Sequence, residues 1–124
     1  MVQLIHKDLT SQIIAAAFEV SNHLGTGFLE KVYENALKVE LEQMGLTVEA
    51  QKPVKVLYKE EVVGLYQTDL LVGGNVIVEV KTTEKITKLY KAQLINYLKA
   101  TGLKVGLIIN FGKTRVEFER IVLT

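Results

Sequence analysis

The spacing of apolar residues divides the chain into helical and extended segments. In the first half, apolar positions recur every three or four residues and predict a helix over roughly residues 8–23, ended by Gly25-Thr26-Gly27. A second helical pattern runs from Phe28 to Met44, and Gly45 stands where a C-terminal cap glycine belongs. The chain therefore begins with two predicted helices.

The following residues favour strands. β-forming residues occupy Val48, Val54–Tyr58, Val62–Val72 and Val76–Lys81, with the last three segments forming a meander. A third helix is predicted over Ile86–Ala100, and two more strands over Val105–Asn110 and Val116–Val122. The element order α α β β β α β β predicts an α/β fold in which helices flank a mixed sheet of four or five strands. We expect residues 1–124 to form a single domain.

Composition excludes several function classes. The formal charge of +1 argues against a polybasic binder, although residues 1–50 carry a net −4 and residues 51–124 a net +5, so that a polyanion would meet the second half. The absence of Cys excludes disulfides, zinc ribbons and thiol catalysis. The longest apolar run, Ile13–Phe18, is too short to span a membrane, and the N-terminus lacks a secretory pattern. We therefore expect a cytoplasmic protein without a membrane partner.

The strongest chemical signal is a predicted hairpin around Gly73-Gly74-Asn75. A three-residue loop pairs Val72 with Val76 and Leu71 with Ile77, and the same register places Asp69 opposite Glu79 and Gln67 opposite Lys81. Two carboxylates about 5 Å apart repel each other unless a cation lies between them. Oxygen ligands favour Mg²⁺ or Mn²⁺. A bound ion of this kind activates water and stabilises phosphoryl charge, and Lys81 could orient that water.

Two helical residues extend this cluster. Glu30 lies at the margin of the apolar arc of the second helix, where a carboxylate requires a partner. Gln93 lies among Ile86, Tyr90 and Tyr97 on the predicted inward stripe of the third helix, where an unpaired amide would cost of order 1 to 3 kcal/mol. Taken singly, these residues could also be ordinary structural hydrogen-bonding groups, and Glu79-Val80-Lys81 could be a solvated, salt-bridged strand.

Taken in order, the motifs resemble a known family. Asp69, then Glu79-Val80-Lys81, then a helix with Gln93 and Tyr97, resembles the PD-(D/E)xK nuclease superfamily, and the Gln-x-x-x-Tyr helix is similar to its RecB-like branch. Gly27-Phe-Leu-Glu30-Lys-Val-Tyr33 and Gly106-Leu-Ile-Ile-Asn-Phe-Gly112 also resemble the small prokaryotic GxxExxY protein family within that superfamily. Thr68 stands where the superfamily's name has proline.

The resemblance implies roles for these residues. Asp69 and Glu79 would be ligands of Mg²⁺ or Mn²⁺, with Glu30 and the carbonyl of Val80 as further ligands. Lys81 would assist the nucleophilic water, so that Glu30, Asp69, Glu79 and Lys81 form the catalytic set. Gln93 and Tyr97 would position the substrate.

The sequence thus predicts a magnesium-dependent nuclease that hydrolyses phosphodiester bonds, in DNA rather than RNA. Its partner would be nucleic acid, and a homodimer is compatible with the sequence. Two alternatives remain open at this point: a non-catalytic nucleic-acid-binding or regulatory module with the same fold, and a structural homo-oligomer whose Asp69 and Glu79 pair with lysines.

Overall fold

The computed structural model describes residues 5–123, which form three helices and seven strands. The elements are α1 (Lys7–Leu24), α2 (Glu30–Gln43), β1 (Val48–Ala50), β2 (Pro53–Tyr58), β3 (Glu61–Gln67), β4 (Leu70–Val72), β5 (Val76–Lys81), α3 (Lys88–Thr101), β6 (Val105–Asn110) and β7 (Glu117–Val122). The predicted helices are found with ends shifted by one or two residues. None of the described helices is long and apolar enough to cross a lipid bilayer.

The main sheet has five strands in the order β1-β4-β5-β6-β7. Among the described strands only β5 and β6 are parallel to each other, and they are the two strands that α3 connects. This arrangement follows from chain connectivity, because a parallel pair requires a long crossover whereas the antiparallel neighbours can be joined by short loops. The predicted α/β fold with a mixed sheet flanked by helices is confirmed.

Two apolar cores cover the two faces of this sheet. Val76, Val78 and Val80 face α1 and α2, while Ile77 belongs to the core beneath α3. The alternation follows from the pleat of a strand, in which successive side chains point to opposite faces. Glu79, between Val78 and Val80, therefore belongs to the α3 face.

Helix α3 packs closely on β6 because of a glycine. A Cβ at Gly106 would lie only 2.8 Å from the methyl groups of Leu94, so the absent side chain makes room for this leucine. The predicted inward stripe of Ile86, Tyr90, Gln93 and Tyr97 was wrong at Gln93. The fully buried residues of α3 are Leu94 and Leu98, whereas Gln93 is only partly buried. Compared with the prediction, α3 is turned about its axis, so that Leu94 and Leu98 face the core and Gln93 borders a cavity.

The predicted strand Val62–Val72 is instead two strands. It breaks at Thr68-Asp69; β3 pairs only with β2 in a separate two-stranded sheet, and β4 joins the main sheet. The pairs Val72–Val76 and Leu71–Ile77 are confirmed, but the ladder ends at Leu70–Val78. The predicted pairs Asp69–Glu79 and Gln67–Lys81 are therefore wrong, and Gln67 pairs with Pro53. The element order gains two strands over the predicted one, β1 and the separated β4.

Candidate active site

Glu30 is the first residue of α2, and the loop before it fixes its position. Gly27 precedes it with φ +105°, a backbone conformation that favours glycine. The Tyr33 hydroxyl donates to the Gly25 carbonyl at 2.6 Å and accepts from Phe28 N–H at 3.3 Å. The Tyr33 ring stacks on buried Phe111 with centroids 4.8 Å apart. Tyr33 thereby ties the loop before Glu30 to the core.

The break between β3 and β4 turns Asp69 toward β5. Its Oδ2 accepts a hydrogen bond of 2.7 Å from Val80 N–H, while its own carbonyl accepts one of 3.1 Å from Gln51 N–H. Thr68 N–H donates to the Lys52 carbonyl at 3.0 Å. Asp69 is therefore held close to Glu79 by its hydrogen bond to the backbone of the adjacent Val80. The two acids are not cross-strand partners.

Glu79 and Lys81 leave β5 on the same face and meet aromatic rings. Glu79 is 6% exposed, and its Oε1 accepts a hydrogen bond from the Tyr66 hydroxyl on β3. Tyr66 in turn stacks on Tyr97 of α3, with ring planes 9° apart. The Lys81 ammonium lies 4.5 Å from the centroid of the Tyr90 ring. Glu79 is therefore held by Tyr66 on β3, and Lys81 by Tyr90 on α3.

These side chains surround one small cavity. It has a volume of about 130 Å³ and lies between α2, β3, β5 and α3. All six predicted site side chains line it: Glu30, Asp69, Glu79, Lys81, Gln93 and Tyr97. The Val80 side chain is buried in the opposite core, so only its backbone could take part. A larger open groove of about 650 Å³ beside β2 contains none of these residues.

Burial disfavours the charged forms of both acids. Desolvation raises the pKa of Glu79 from an ordinary 4.5 to about 8, with Glu30 and Glu34 adding repulsion and Lys81 opposing it. Desolvation likewise raises the pKa of Asp69 from 3.8 to about 6, against the opposing effect of the Val80 hydrogen bond. Burial, followed by the charges of Glu79 and Asp69, also raises the pKa of the Tyr97 hydroxyl. The cavity thus gathers acidic groups in a poorly solvated place, where their charged forms are disfavoured.

Comparison with known proteins identifies the family. Residues 7–121 match the family described as the PD-(D/E)XK nuclease superfamily. The chain belongs to this superfamily. Membership supports a nuclease hydrolase without assigning its substrate. No curated protein is similar enough to this chain to count as a match.

Solved structures share the fold at low sequence identity. An alkaline exonuclease (LHK-Exo) from Laribacter hongkongensis has a TM-score of 0.56 and 16% identity, over 89% of this chain and 68% of that chain. The structure of SSO0001 also has a TM-score of 0.56 and 16% identity, over 94% of this chain and 58% of that one. LHK-Exo in complex with dAMP gives 0.53 and 13%, over 93% and 83%. At these identities the likeness is one of fold, and the chain spans less than two thirds of SSO0001.

The donor set of the site suits a hard divalent cation. PD-(D/E)XK nucleases generally use divalent metals. Within residues 5–123 no three His, Asp or Glu side chains are gathered into a ready-made metal group. Two carboxylates are nevertheless enough for Mg²⁺, which usually keeps several waters. The half-buried Asp69 and the buried Glu79 therefore fit such an ion, which would offset their unfavourable ionisation.

The ion pairs bear on the structural alternative, in which lysines neutralise these acids. In the described part of the chain, every ion pair joins residues other than Asp69 and Glu79. Their hydrogen bonds come from a backbone N–H and a tyrosine hydroxyl instead. Lys81 rests against an aromatic ring. This observation speaks against a purely salt-bridged role.

Sequence reasoning missed Glu34 and Tyr66. Glu34 follows Glu30 by one helical turn, and this i, i+4 spacing was the available signal. It is buried, binds Lys31 at 2.6 Å, and accepts a 2.6 Å hydrogen bond from Gln51. A second cavity of about 300 Å³ contacts Glu34 and shares Glu30 and Asp69 with the first. Tyr66 had no comparable signal, because its position depends on the break in the strand.

A buried amide holds the segment that follows Lys81. The Asn110 side chain accepts from Thr83 N–H at 3.0 Å and donates to the Thr83 carbonyl at 2.9 Å. It also accepts from Gly112 N–H at 2.9 Å. A Cβ at Gly112 would lie 2.6 Å from Thr83 N, so a side chain there would clash with this segment. Asn110 and Gly112 therefore fix the path from β5 to α3, and with it Lys81.

Proposed function

We propose that this chain is a Mg²⁺- or Mn²⁺-dependent nuclease that hydrolyses phosphodiester bonds in DNA. Within the superfamily we assign it to the GxxExxY family of the RecB-like branch, working as one domain. The observation that carries the proposal is the meeting of three acids, a lysine, a glutamine and a tyrosine around one cavity. These residues come from four places that are separate in sequence: α2, the break between β3 and β4, β5 and α3.

The acids would hold the metal ion. Asp69 and Glu79 are the first ligands in this proposal, with Glu30 or the Val80 carbonyl completing the protein's share. When bound, a divalent ion supplies a Lewis acid that activates water and stabilises charge on the phosphoryl oxygens. The hydrogen bonds from Val80 N–H and the Tyr66 hydroxyl orient one oxygen of each carboxylate. Such outer contacts commonly fix the geometry of metal ligands.

Lys81 would act on the reacting phosphate. Its ammonium lies over the Tyr90 ring, which supports a cation without neutralising it. A charge held in this way remains available to orient the attacking water and to offset the negative charge of the transition state. No ion pair with an acid has to be broken first, since the ion pairs of the described residues do not include Lys81.

Gln93 and Tyr97 would position the substrate. Both border the cavity from α3, where an amide and a phenol can donate to phosphate oxygens. The choice of DNA is supported by a fold relative, LHK-Exo, whose structure was solved with dAMP. The net charge of +5 in residues 51–124 is consistent with a polyanionic substrate.

The test is hydrolysis of end-labelled oligonucleotides. Single- and double-stranded DNA and RNA of one sequence are incubated with Mg²⁺, Mn²⁺ or a chelator. We expect DNA cleavage only with metal, and a loss of at least about 10³-fold in Asp69→Asn and Lys81→Ala. Lys104→Ala is the matched control, because this exposed lysine precedes β6 at the end of the sheet away from Lys81.

The outcomes separate the alternatives. Cleavage that persists in both site variants would mean that the activity belongs to another site or to a contaminant. DNA binding without cleavage under any metal condition would instead favour the non-catalytic module. Equal loss in Lys104→Ala would show that the assay responds to general charge rather than to the site.

A further inference from the structure

The hairpin formed by β2 and β3 concentrates apolar side chains on the surface. Six large apolar residues of these two strands are exposed: Val56, Leu57, Tyr58, Val62, Val63 and Leu65. Scattered exposed apolar residues are normal, but a concentration of them on one hairpin is typical of an interaction surface. An occupant of this surface is therefore expected.

The two edges of the hairpin differ in their protection. On β2, Pro53 lacks an N–H and Lys55 carries a charge, two features that discourage further strand pairing, and this strand also packs against α3. On β3, the run Val62-Val63-Gly64-Leu65-Tyr66 contains neither proline nor charge. In the described part of the chain β3 pairs only with β2, so its outer edge has no strand partner, and five of its seven residues are exposed.

The side chains of β3 match those of a second, antiparallel copy of the same strand. An antiparallel pairing with a second copy, centred on Gly64, uses all seven residues of the strand. It places Val62 opposite Tyr66 and Val63 opposite Leu65, while Glu61 meets the neutral Gln67. Apolar residues thus face apolar residues, and no like charges are opposed.

We propose that this chain forms a two-fold symmetric homodimer through antiparallel pairing of β3 with β3 of a second copy. The two hairpins then form one four-stranded sheet. Because a single strand pair is a small interface, we expect dissociation in roughly the micromolar range. The dimer is independent of the proposed hydrolysis. It would also bring Tyr66, which binds Glu79, into the interface, so that the two active sites lie against the shared sheet.

Gly64→Cys tests the register directly. The chain has no Cys, and a Cβ at Gly64 has only Val56 Cβ within 4 Å, at 3.9 Å, so the substitution fits. At the two-fold axis this cysteine faces its own copy at a distance that a disulfide can span. We expect mild oxidation to give a covalent dimer at least about tenfold faster than in Leu57→Cys, a control on the other strand that is more exposed than Gly64.

Leu65→Glu tests the apolar contact. Leu65 is 72% exposed and pairs with Lys55 inside the hairpin. A glutamate at this position would therefore face the opposite charge of Lys55 within the same chain. Across the proposed interface the same charge meets Val63 of the second copy. We expect sedimentation to show at least about tenfold weaker dimerisation, with Leu57→Glu unchanged. A chain that stays monomeric at concentrations up to about 200 µM, or equal cross-linking of the two cysteine variants, would overturn the proposal.

Discussion

Burial of Glu79 makes its charged form destabilise the folded protein, although the proposed role as a metal ligand requires that charged form. Glu79→Gln keeps the size of the side chain and can still bond to the Tyr66 hydroxyl, but it removes the ionisable group. The wild-type carboxyl has a pKa of about 8 in the folded protein, against 4.5 ordinarily. The substitution should therefore alter how the stability of the metal-free protein depends on pH.

The sign follows from proton binding. Because the folded state holds the proton of Glu79 more tightly than the unfolded state, the stabilisation from this group is complete below pH 4.5 and is lost as pH rises through about 8. A displacement of this size corresponds to roughly 4 to 5 kcal/mol between these limits. Glu79→Gln does not titrate, so above pH 8 it should be more stable than wild type by a similar amount.

Thermal unfolding from pH 5 to pH 9 in chelator measures this difference. Near pH 5 the two proteins should melt at similar temperatures, and at pH 9 Glu79→Gln should melt roughly 10 to 20 °C higher. Glu42→Gln, at the far end of α2, controls for charge removal at an exposed position. A gap between Glu79→Gln and wild type that is constant over this pH range would refute the buried-carboxyl argument.

Three further results are expected. Mn²⁺ should raise the melting temperature of wild type more at pH 8 than at pH 6, because its binding must displace the Glu79 proton, and the shift should vanish in Glu79→Gln; a larger shift at pH 6 would contradict this. Tyr33→Phe should cost about 1 kcal/mol in chemical denaturation and slow hydrolysis through Glu30, whose preceding loop loses its hydroxyl anchor; unchanged activity would separate that loop from the site. Gly112→Ala should cost about 3 kcal/mol or more, since its Cβ meets Thr83 N, whereas Gly64→Ala, whose Cβ would make only an ordinary van der Waals contact with Val56, should be nearly neutral.

The parts of the fold that sequence predicts are those governed by local pattern. The alternation of Val76, Val78 and Val80 with Ile77 and Glu79 correctly assigned the two faces of β5. The three-residue loop correctly fixed the register of Val72 with Val76. Both features depend on neighbours close in sequence, where the pleat of a strand leaves one solution.

The strand break escaped prediction because nothing local requires it. Val62–Val72 reads as one continuous strand, and Thr68 and Asp69 carry no Gly or Pro signal. The break depends on contacts distant in sequence: Thr68 N–H reaches the Lys52 carbonyl, and Gln51 N–H reaches the Asp69 carbonyl. Asp69 and Glu79 do line one cavity, but for a different geometric reason from the predicted one: Asp69 is bonded to Val80 N–H and is not paired with Glu79 across a strand ladder.

The places where local rules fail are concentrated around the candidate site. Thr68 Oγ1 is buried and is without a hydrogen-bond partner among the described residues, and Gln51 has φ +56°, which non-glycine residues rarely adopt. Next to them lie Asp69 and the buried Glu79, whose ionisation is disfavoured by desolvation. A sequence optimised only for folding would place apolar residues at these positions, as it does elsewhere on β5. Such departures persist where a ligand offsets their cost. For the acids here we propose a divalent cation as that ligand. The stability of the metal-free protein and its response to Mn²⁺ are therefore two independent tests of Glu79.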